Sequence, residues 1–125
     1  MLLNYRKYQG KEDNFQQSVA RYLDSLGVLW CHPPNGGFRN YKTGAILKSQ
    51  GVKPGIPDIL IFEPRGNYHG LMIELKVGSN KTSDFQDKWI ASLKTRNYQV
   101  FVSYSLDEVM DIVSNYLKAK PSQSL

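Results

Sequence analysis

The spacing of apolar residues predicts helices at the start of the chain and in its second half. From Glu12 to Leu26, apolar side chains recur at steps of three and four, the pattern of a helix with one buried face. Gly27 follows, where a C-terminal cap is expected. Ser83-Asp84-Phe85-Gln86 and Ser105-Leu106-Asp107-Glu108 fit the capping box, in which a hydroxyl and a later Gln or Glu bond free amides reciprocally. We expect two further helices to begin there. The first carries Phe85, Trp89 and Leu93 on one face, and Trp89 is most simply a core residue.

Short apolar runs predict the strands. Val28 to His32 is the first, and Ile59 to Phe62 and Leu71 to Val77 form an antiparallel hairpin around Arg65-Gly66-Asn67. Val100-Phe101-Val102 follows a helix, and a helical crossover places such a strand parallel to a neighbour. The predicted order is α-β-(loop)-β-β-α-β-α. It indicates an α/β fold with a mixed central sheet flanked by helices.

The segment from Phe38 to Pro57 has the least regular pattern. Apart from a short turn of helix around Ala45 to Ser49, it predicts a long connection, which is usually functional or mobile. Residues before Lys11 predict a loose arm, and those from Lys118 onward predict a frayed tail. Because no repeat or linker interrupts the 125 residues, we expect a single domain with a core from about residue 12 to 117.

Composition narrows the class of protein. Apolar content of 41% and charged content of 22% are ordinary for a globular protein, and one cysteine cannot form an internal disulfide. No apolar run approaches the roughly 18 residues of a membrane span, and the N-terminus lacks a signal-peptide core, so a cytoplasmic protein without a membrane partner is expected. The net charge of +5 is compatible with a polyanionic partner but decides little alone.

Three ionisable residues interrupt the apolar strands of the hairpin. Asp58 precedes the first strand, while Glu74 and Lys76 share one face of the second. A two-residue turn would put Asp58 and Glu74 on opposite faces. A three-residue turn, or an equivalent bulge, instead pairs residue 58 with 74 and puts Lys76 on the diagonal. We expect this second register.

Two carboxylates in such proximity repel each other, and a divalent cation between them removes the conflict. Hard oxygen ligands with room for water suit Mg²⁺ or Mn²⁺. Such a metal polarises a phosphoryl oxygen and activates water, while Lys76 positions that water or steadies developing charge. The pattern therefore predicts phosphodiester hydrolysis. Glu12, at the edge of the first helix's apolar stripe, would direct its carboxylate toward the sheet, to a second metal or a water on the first.

Each of these residues also has an ordinary structural explanation. Asp58 fits a turn, and Glu74 and Lys76 fit a solvated strand face. The capping box accounts for Gln86 without any role in a site. Together with Glu12 and the element order, however, the carboxylates and the lysine favour a site over these explanations.

The remaining polar residues indicate phosphate contacts rather than further cofactors. We expect His32 and His69 to be satisfied by hydrogen bonds, not by a metal. Asn35-Gly36-Gly37 is turn chemistry whose amides can also bind phosphate. The turn at Gly66 lacks the spacing of a nucleotide-binding loop, so no nucleotide cofactor is expected. Basic residues on either side of Asp58 and Glu74 predict a phosphate track. They are Arg39, Lys42, Lys48, Lys53 and Lys81.

A family resemblance rests on these residues. Pro57-Asp58, then Glu74-Leu75-Lys76 on the next strand, resembles the PD-(D/E)XK nuclease signature, and the element order resembles that superfamily's restriction-endonuclease-like αβββαβα core. Nearly the whole chain, about Glu12 to Leu117, resembles the virus-type replication-repair nuclease (VRR-Nuc) domain. The matching positions are Glu12, Asn35-Gly36-Gly37, Arg39, Gly51-Val52, Gly55-Ile56-Pro57-Asp58, Lys81, Ser83, Gln86 and a closing strand at Tyr98.

The resemblance implies a metal-dependent DNA endonuclease. By analogy, Asp58, Glu74 and the carbonyl of Leu75 would hold the metal and Lys76 would serve the attacking water. Glu12 and Gln86 would complete the site. DNA contacts are expected from the basic residues together with Asn35, Gly36 and Ser83.

Substrate and assembly are implied by analogy alone. Small stand-alone domains of this type resemble phage and bacterial proteins that act as homodimers on branched DNA, notably four-way (Holliday) junctions. Two alternatives stay open. One is a nuclease acting on flaps, ends or RNA with the same metal site, and the other is a catalytically silent nucleic-acid-binding subunit.

Overall fold

In a computed structural model of the chain, the structure describes residues 12–34 and 41–122, with side chains except at 12–13 and 41–43. The predicted N-terminal arm and the predicted DNA contacts Asn35, Gly36 and Arg39 lie outside these residues. No helix in the described part of the chain has the length and apolar content needed to cross a membrane.

The described chain contains four helices and four strands. Three of the helices and all four strands follow the predicted order, and the fourth helix lies in the segment predicted as a long connection. The elements are α1 (Glu12–Leu26), β1 (Trp30–Cys31), α2 (Tyr41–Ser49), β2 (Ile59–Ile61), β3 (Gly70–Leu75), α3 (Asp84–Lys94), β4 (Tyr98–Ser103) and α4 (Leu106–Lys118).

Two elements differ from the prediction in length. The sequence predicted only a turn of helix near Ala45, but α2 covers Tyr41–Ser49. Gly44 within this segment weakens the helical pattern, which is why the sequence did not show it. Conversely, β1 is only Trp30–Cys31, because Pro33 and Pro34 have no amide N–H with which to continue a ladder.

The strands form one mixed sheet in the order β1-β2-β3-β4. β1 and β3 both pair antiparallel with β2, and β4 pairs parallel with β3. The expected fold class is therefore confirmed, including the parallel strand after the crossover helix α3.

The hairpin has the register that places residues 58 and 74 opposite each other. Ile59 pairs with Ile73 and Ile61 pairs with Leu71. At the tip, Arg65 pairs with Tyr68. This tight turn belongs to a different register from the ladder below it, so the β2 side carries one extra residue. The predicted bulge, rather than a three-residue turn, provides the register.

The hydrophobic core occupies one face of the sheet, beneath α1 and α4, which pack against each other. Its members are buried side chains of the two helices and alternate residues of β2 and β3. They are Phe15, Val19, Leu23, Ile59, Ile61, Leu71, Ile73, Leu75, Val109, Val113 and Tyr116. Tyr116 ties α4 to the hairpin, because its hydroxyl donates to the carbonyl of Glu63 at 2.6 Å. Burial raises the pKa of this phenol, so it remains a donor.

Helix α3 lies against β4 without burying any side chain completely. The expectation that Trp89 belongs to the core is therefore wrong, since it is only half-buried. The apolar spacing of Phe85, Trp89 and Leu93 is helical, but spacing alone does not show what covers a helix face.

The C-terminal segment is bound as far as the structure describes it. The amide of Gly66 donates to the carbonyl of Lys120 at 2.9 Å, and Pro121 pairs with Arg65. Ser122 Oγ donates to the carbonyl of Gly66 at 3.0 Å. The expected frayed tail is thus wrong for residues 120–122, because the hairpin turn offers polar backbone groups to pair with.

Candidate active site

The carboxylate of Asp58 bridges the ends of β2 and β3. Its Oδ2 accepts a hydrogen bond of 2.9 Å from the amide of Leu75. In the ladder register, Leu75 lies opposite Pro57, so the side chain of Asp58 takes the place of the next backbone acceptor. Asp58 is therefore more than a turn residue, because its position is fixed by the strand that carries Glu74.

Pro57 determines what the Leu75 carbonyl can bind. A residue opposite Leu75 would normally donate its amide to this carbonyl, but proline has no N–H. Within an extended strand, the N–H and C=O of one residue point to the same edge, so the Leu75 carbonyl lies on the side of the Asp58 carboxylate. The proline thus leaves an oxygen beside Asp58 that the strand cannot satisfy.

Glu74 lies on the face of the sheet opposite the core and is 2% exposed. A buried carboxylate requires hydrogen bonds or positive charge. Gln86, on the first turn of α3, donates from Nε2 to Glu74 Oε1 at 2.7 Å. This bond joins the helix to β3 and fixes the orientation of the carboxylate.

The capping box determines which way the Gln86 amide points. Ser83 N donates to Gln86 Oε1 at 2.8 Å, and Gln86 N donates to Ser83 Oγ at 3.2 Å, so the predicted box is confirmed. Because the amide oxygen serves the cap, the amide nitrogen faces Glu74. The same amide group of Gln86 therefore closes the cap through its oxygen and binds Glu74 through its nitrogen.

Gly55 brings the loop before Asp58 against the start of α3. Its φ of +93° suits glycine, and a Cβ at this position would lie 2.5 Å from the carbonyl carbon of Phe85 and 2.8 Å from the amide of Gln86. No other residue type allows the two backbones to lie so close. Sequence reasoning did not identify this positioning role, although Gly55 is part of the matching motif.

Lys76 follows β3 and continues its pairing with β4, because its amide donates to the carbonyl of Ser103 at 2.9 Å. Strand alternation therefore places its half-buried side chain on the face of Glu74. The acceptor strand is held in turn by α4. Glu108 Oε1 accepts from Ser103 Oγ at 2.6 Å and from the amide of Tyr104 at 3.3 Å.

This arrangement corrects the second predicted capping box. Ser105 Oγ accepts from the amide of Glu108 at 3.1 Å, as a cap should. The carboxylate of Glu108, however, binds Ser103 and Tyr104. The box is half-formed because Ser103 and Tyr104, at the end of β4, offer nearer donors.

His32 has a hydrogen-bonding partner, as the sequence predicted, whereas the observed contact of the His69 ring is with an aromatic side chain. Nδ1 of His32 lies 2.7 Å from the carbonyl oxygen of Asp58, so the tautomer with a proton on Nδ1 donates to it. The ring of His69 packs edge-on against Tyr98, with ring centroids 5.7 Å apart. His32 thereby holds the backbone of Asp58 from the side of β1.

The remaining predicted site residues are placed as follows. Glu12 is the first residue of α1 and Lys42 lies in α2, but their side chains are outside the described set. Lys48, Lys53 and Lys81 are exposed. Among the side chains that the structure describes, no group of three or more His, Cys, Asp or Glu could hold a metal ion. Asp58 and Glu74 are the predicted ligand side chains that the structure describes, and both lie at the end of the hairpin that carries Leu75.

Comparison with known proteins adds independent information. The profile of the VRR-NUC domain matches residues 10–107. A solved structure titled "VRR_NUC domain protein" is 28% identical with a TM-score of 0.76, over 91% of this chain and 94% of the other. A second, titled "VRR_NUC domain", has a TM-score of 0.56 and 24% identity over 84% of this chain and 96% of the other, a likeness of fold alone. The comparison with curated proteins found no match.

The matched region contains Asp58, Glu74, Lys76 and Gln86. It extends over well more than half of the chain, and the sheet order and register agree with the order of elements predicted from the sequence. The chain therefore belongs to the VRR-NUC domain family, a family of nucleases.

Proposed function

We propose that this protein is a Mg²⁺-dependent endonuclease that hydrolyses phosphodiester bonds in branched DNA. One observation supports this most strongly. The register sets Asp58 opposite Glu74, and Pro57 leaves the Leu75 carbonyl beside the Asp58 carboxylate. A strand with a purely structural role would not favour this arrangement, because it places acidic oxygens around a backbone carbonyl that has no donor in the strand ladder.

The oxygen donors fit a hard divalent cation. Asp58, Glu74 and the Leu75 carbonyl would hold Mg²⁺, for which Mn²⁺ would substitute, and Glu12 would contribute directly or through water. When bound, such an ion polarises a phosphoryl oxygen and lowers the pKa of water. The chain itself supplies the orientation of these donors through the hydrogen bonds of Asp58 to Leu75 and of Glu74 to Gln86.

Lys76 would act on the nucleophile. It lies on the same face as Glu74, and its ammonium donates hydrogen bonds but accepts none. This role suits a group that orients water by hydrogen bonding and steadies negative charge on the phosphate. Gln86 is a positioning residue, because it acts through Glu74.

DNA as the substrate is supported by charge and by the family. The net charge is +5, and Lys48, Lys53 and Lys81 are exposed on segments flanking the site in sequence. Neutralising phosphates with such lysines provides affinity without sequence preference. The expected substrate is a four-way junction, cut by a homodimer in the cytoplasm of a bacterium or a phage-infected host. This part of the proposal follows from the resemblance to the family alone.

The test is a comparison of substrates under one Mg²⁺ condition. A labelled four-way junction, a flap, a plain duplex and an RNA hairpin are incubated with the protein, with Asp58→Asn as the blank and sedimentation at micromolar concentration as the measure of assembly. We expect the junction to be cut fastest and the protein to sediment as a dimer. Faster cutting of the flap or the RNA would show that the assigned substrate is wrong. No cutting above the blank would refute the nuclease assignment.

A further inference from the structure

Phe85 exposes an aromatic ring on the turn of α3 that also carries Gln86. It is the residue before Gln86 on the first turn of α3, and 59% of its surface is exposed. Its backbone is held firmly, because Gly55 lies against its carbonyl. The ring is therefore presented from a fixed turn rather than from a loose loop.

A cleft opens between this turn, α2 and the loop after α2. Its volume is about 350 Å³. The walls are mostly apolar, and two of the lining residues are exposed lysines. The residues that matter here are Leu47, Lys48, Val52, Lys53, Pro54 and Phe85, which we call the Phe85 cleft.

We propose that the Phe85 cleft binds an unstacked nucleobase of the DNA substrate. The base stacks on Phe85 and the flanking phosphates bind Lys48 and Lys53. Aromatic platforms combined with basic side chains are how proteins hold single-stranded DNA, and stacking tolerates any base because every base has a π-face. The inference rests on the proposed nuclease function and deepens it, since it makes unpaired bases near the cut a feature of the substrate.

Charge favours DNA over a second copy of the chain as the occupant. A twofold contact across the Phe85 cleft would bring Lys48 and Lys53 toward the same lysines of the other copy, because such interfaces are formed by the same patch twice. Like charges brought together oppose association. In DNA, by contrast, a base lies between two negative phosphates. The phosphates complement the lysines, and the base complements the apolar walls.

The experiment measures binding without cleavage, so that a failure of catalysis does not affect it. Ca²⁺ replaces Mg²⁺, and two labelled DNAs of equal length are compared, one with unpaired bases at a branch and one fully paired. A 2-aminopurine at the unpaired position reports stacking by its fluorescence. The variants are Phe85→Leu, which removes the aromatic face, and Phe85→Tyr, which retains it. Phe101→Leu is the matched control, because Phe101 is 36% exposed and lines a cleft against α4 on the other side of the sheet.

We expect Phe85→Leu to weaken binding of the branched DNA by on the order of 10-fold, the effect of losing one stacked base. Binding of the paired duplex stays within about twofold, and the 2-aminopurine quenching is lost. Phe85→Tyr and Phe101→Leu retain both signals. Equal weakening for both DNAs, or unchanged quenching, would overturn the proposal. A sedimentation change from dimer to monomer in Phe85→Leu would also overturn it, by making the cleft a contact between copies.

The two proposals fail in different ways. If the wild-type protein cleaves junctions but Phe85→Leu binds them normally, the assignment of the Phe85 cleft is wrong and the nuclease function stands. If the wild-type protein binds neither DNA, both proposals are wrong.

Discussion

Pro57 lies opposite Leu75 in the hairpin register, and this pairing gives the proline of the site motif a physical role. The missing N–H prevents the ladder from closing over the Leu75 carbonyl. The amide of Leu75 meanwhile donates to Asp58. Two features of consecutive residues, an absent donor at Pro57 and an added acceptor at Asp58, therefore meet at the end of the hairpin.

Restoring the missing donor is expected to weaken metal binding. Pro57→Ala provides an N–H opposite the Leu75 carbonyl, and the new bond competes with the ion. We expect the Mg²⁺ concentration for half-maximal cleavage to rise about 3- to 10-fold, the equivalent of one hydrogen bond of about 1 kcal/mol. Pro64→Ala, an exposed proline near the turn of the same hairpin and outside both proposed sites, is the control. If both variants require the same Mg²⁺ concentration as the wild type, the Leu75 carbonyl is not a ligand.

Gly55 provides a second prediction, because it has a matched control in the same loop. Gly51 and Gly55 both have positive φ, 97° and 93°, but only Gly55 faces backbone within 3 Å. Gly55→Ala should lower the free energy of unfolding by about 2–4 kcal/mol and displace Gln86 from Glu74. Gly51→Ala should cost only about 1 kcal/mol.

The readouts for this pair are urea unfolding and the cleavage rate. Loss of activity in Gly55→Ala at a temperature where the variant is fully folded would show that the contact positions α3. Similar stability and activity for the two alanine variants would contradict the role given to Gly55.

Gln86 allows the cap and the contact with Glu74 to be separated. Gln86→Glu keeps an oxygen for the amide of Ser83, so the capping box survives. It replaces the donor to Glu74 by a carboxylate, however, and the two negative charges repel each other. We expect the metal-free variant to unfold about 1–3 kcal/mol more easily than the wild type and added Mg²⁺ to recover more stability than in the wild type.

Gln17→Glu makes the same charge change on an exposed position of α1 and is the control. Thermal unfolding with and without Mg²⁺ measures both variants. Equal responses to the ion would show that residue 86 does not influence the site.

The sequence predicted those parts of the fold that depend on local pattern. Strand alternation with one extra residue in the turn region placed residue 58 opposite 74, and the cap at Ser83 gave the start of α3. Features that depend on contact between distant segments were missed. The contact of Gly55 with α3 and the hydrogen bond from Gln86 to Glu74 each join two segments that are distant in sequence. Neither contact affects the periodicity of apolar residues.

Other misses have similarly local causes. The pattern placed Trp89 in the core, but periodicity identifies a helix face without showing what covers it. Gly44 concealed α2. The carboxylate of Glu108 accepts a hydrogen bond from Ser103 instead of closing its own capping box, because β4 ends beside it. The order of helices and strands was therefore easier to predict than the partner of each side chain.

The nuclease assignment is tested by the cleavage rate of a labelled four-way junction in Mg²⁺ by three proteins: the wild type, Asp58→Asn and Asp107→Asn. Asp107 is exposed on α4, so its substitution makes the same charge change away from the site. We expect a loss of at least roughly 10³-fold for Asp58→Asn with junction binding retained or improved, and a rate within about twofold of wild type for Asp107→Asn. Cleavage by Asp58→Asn at the wild-type rate would contradict it.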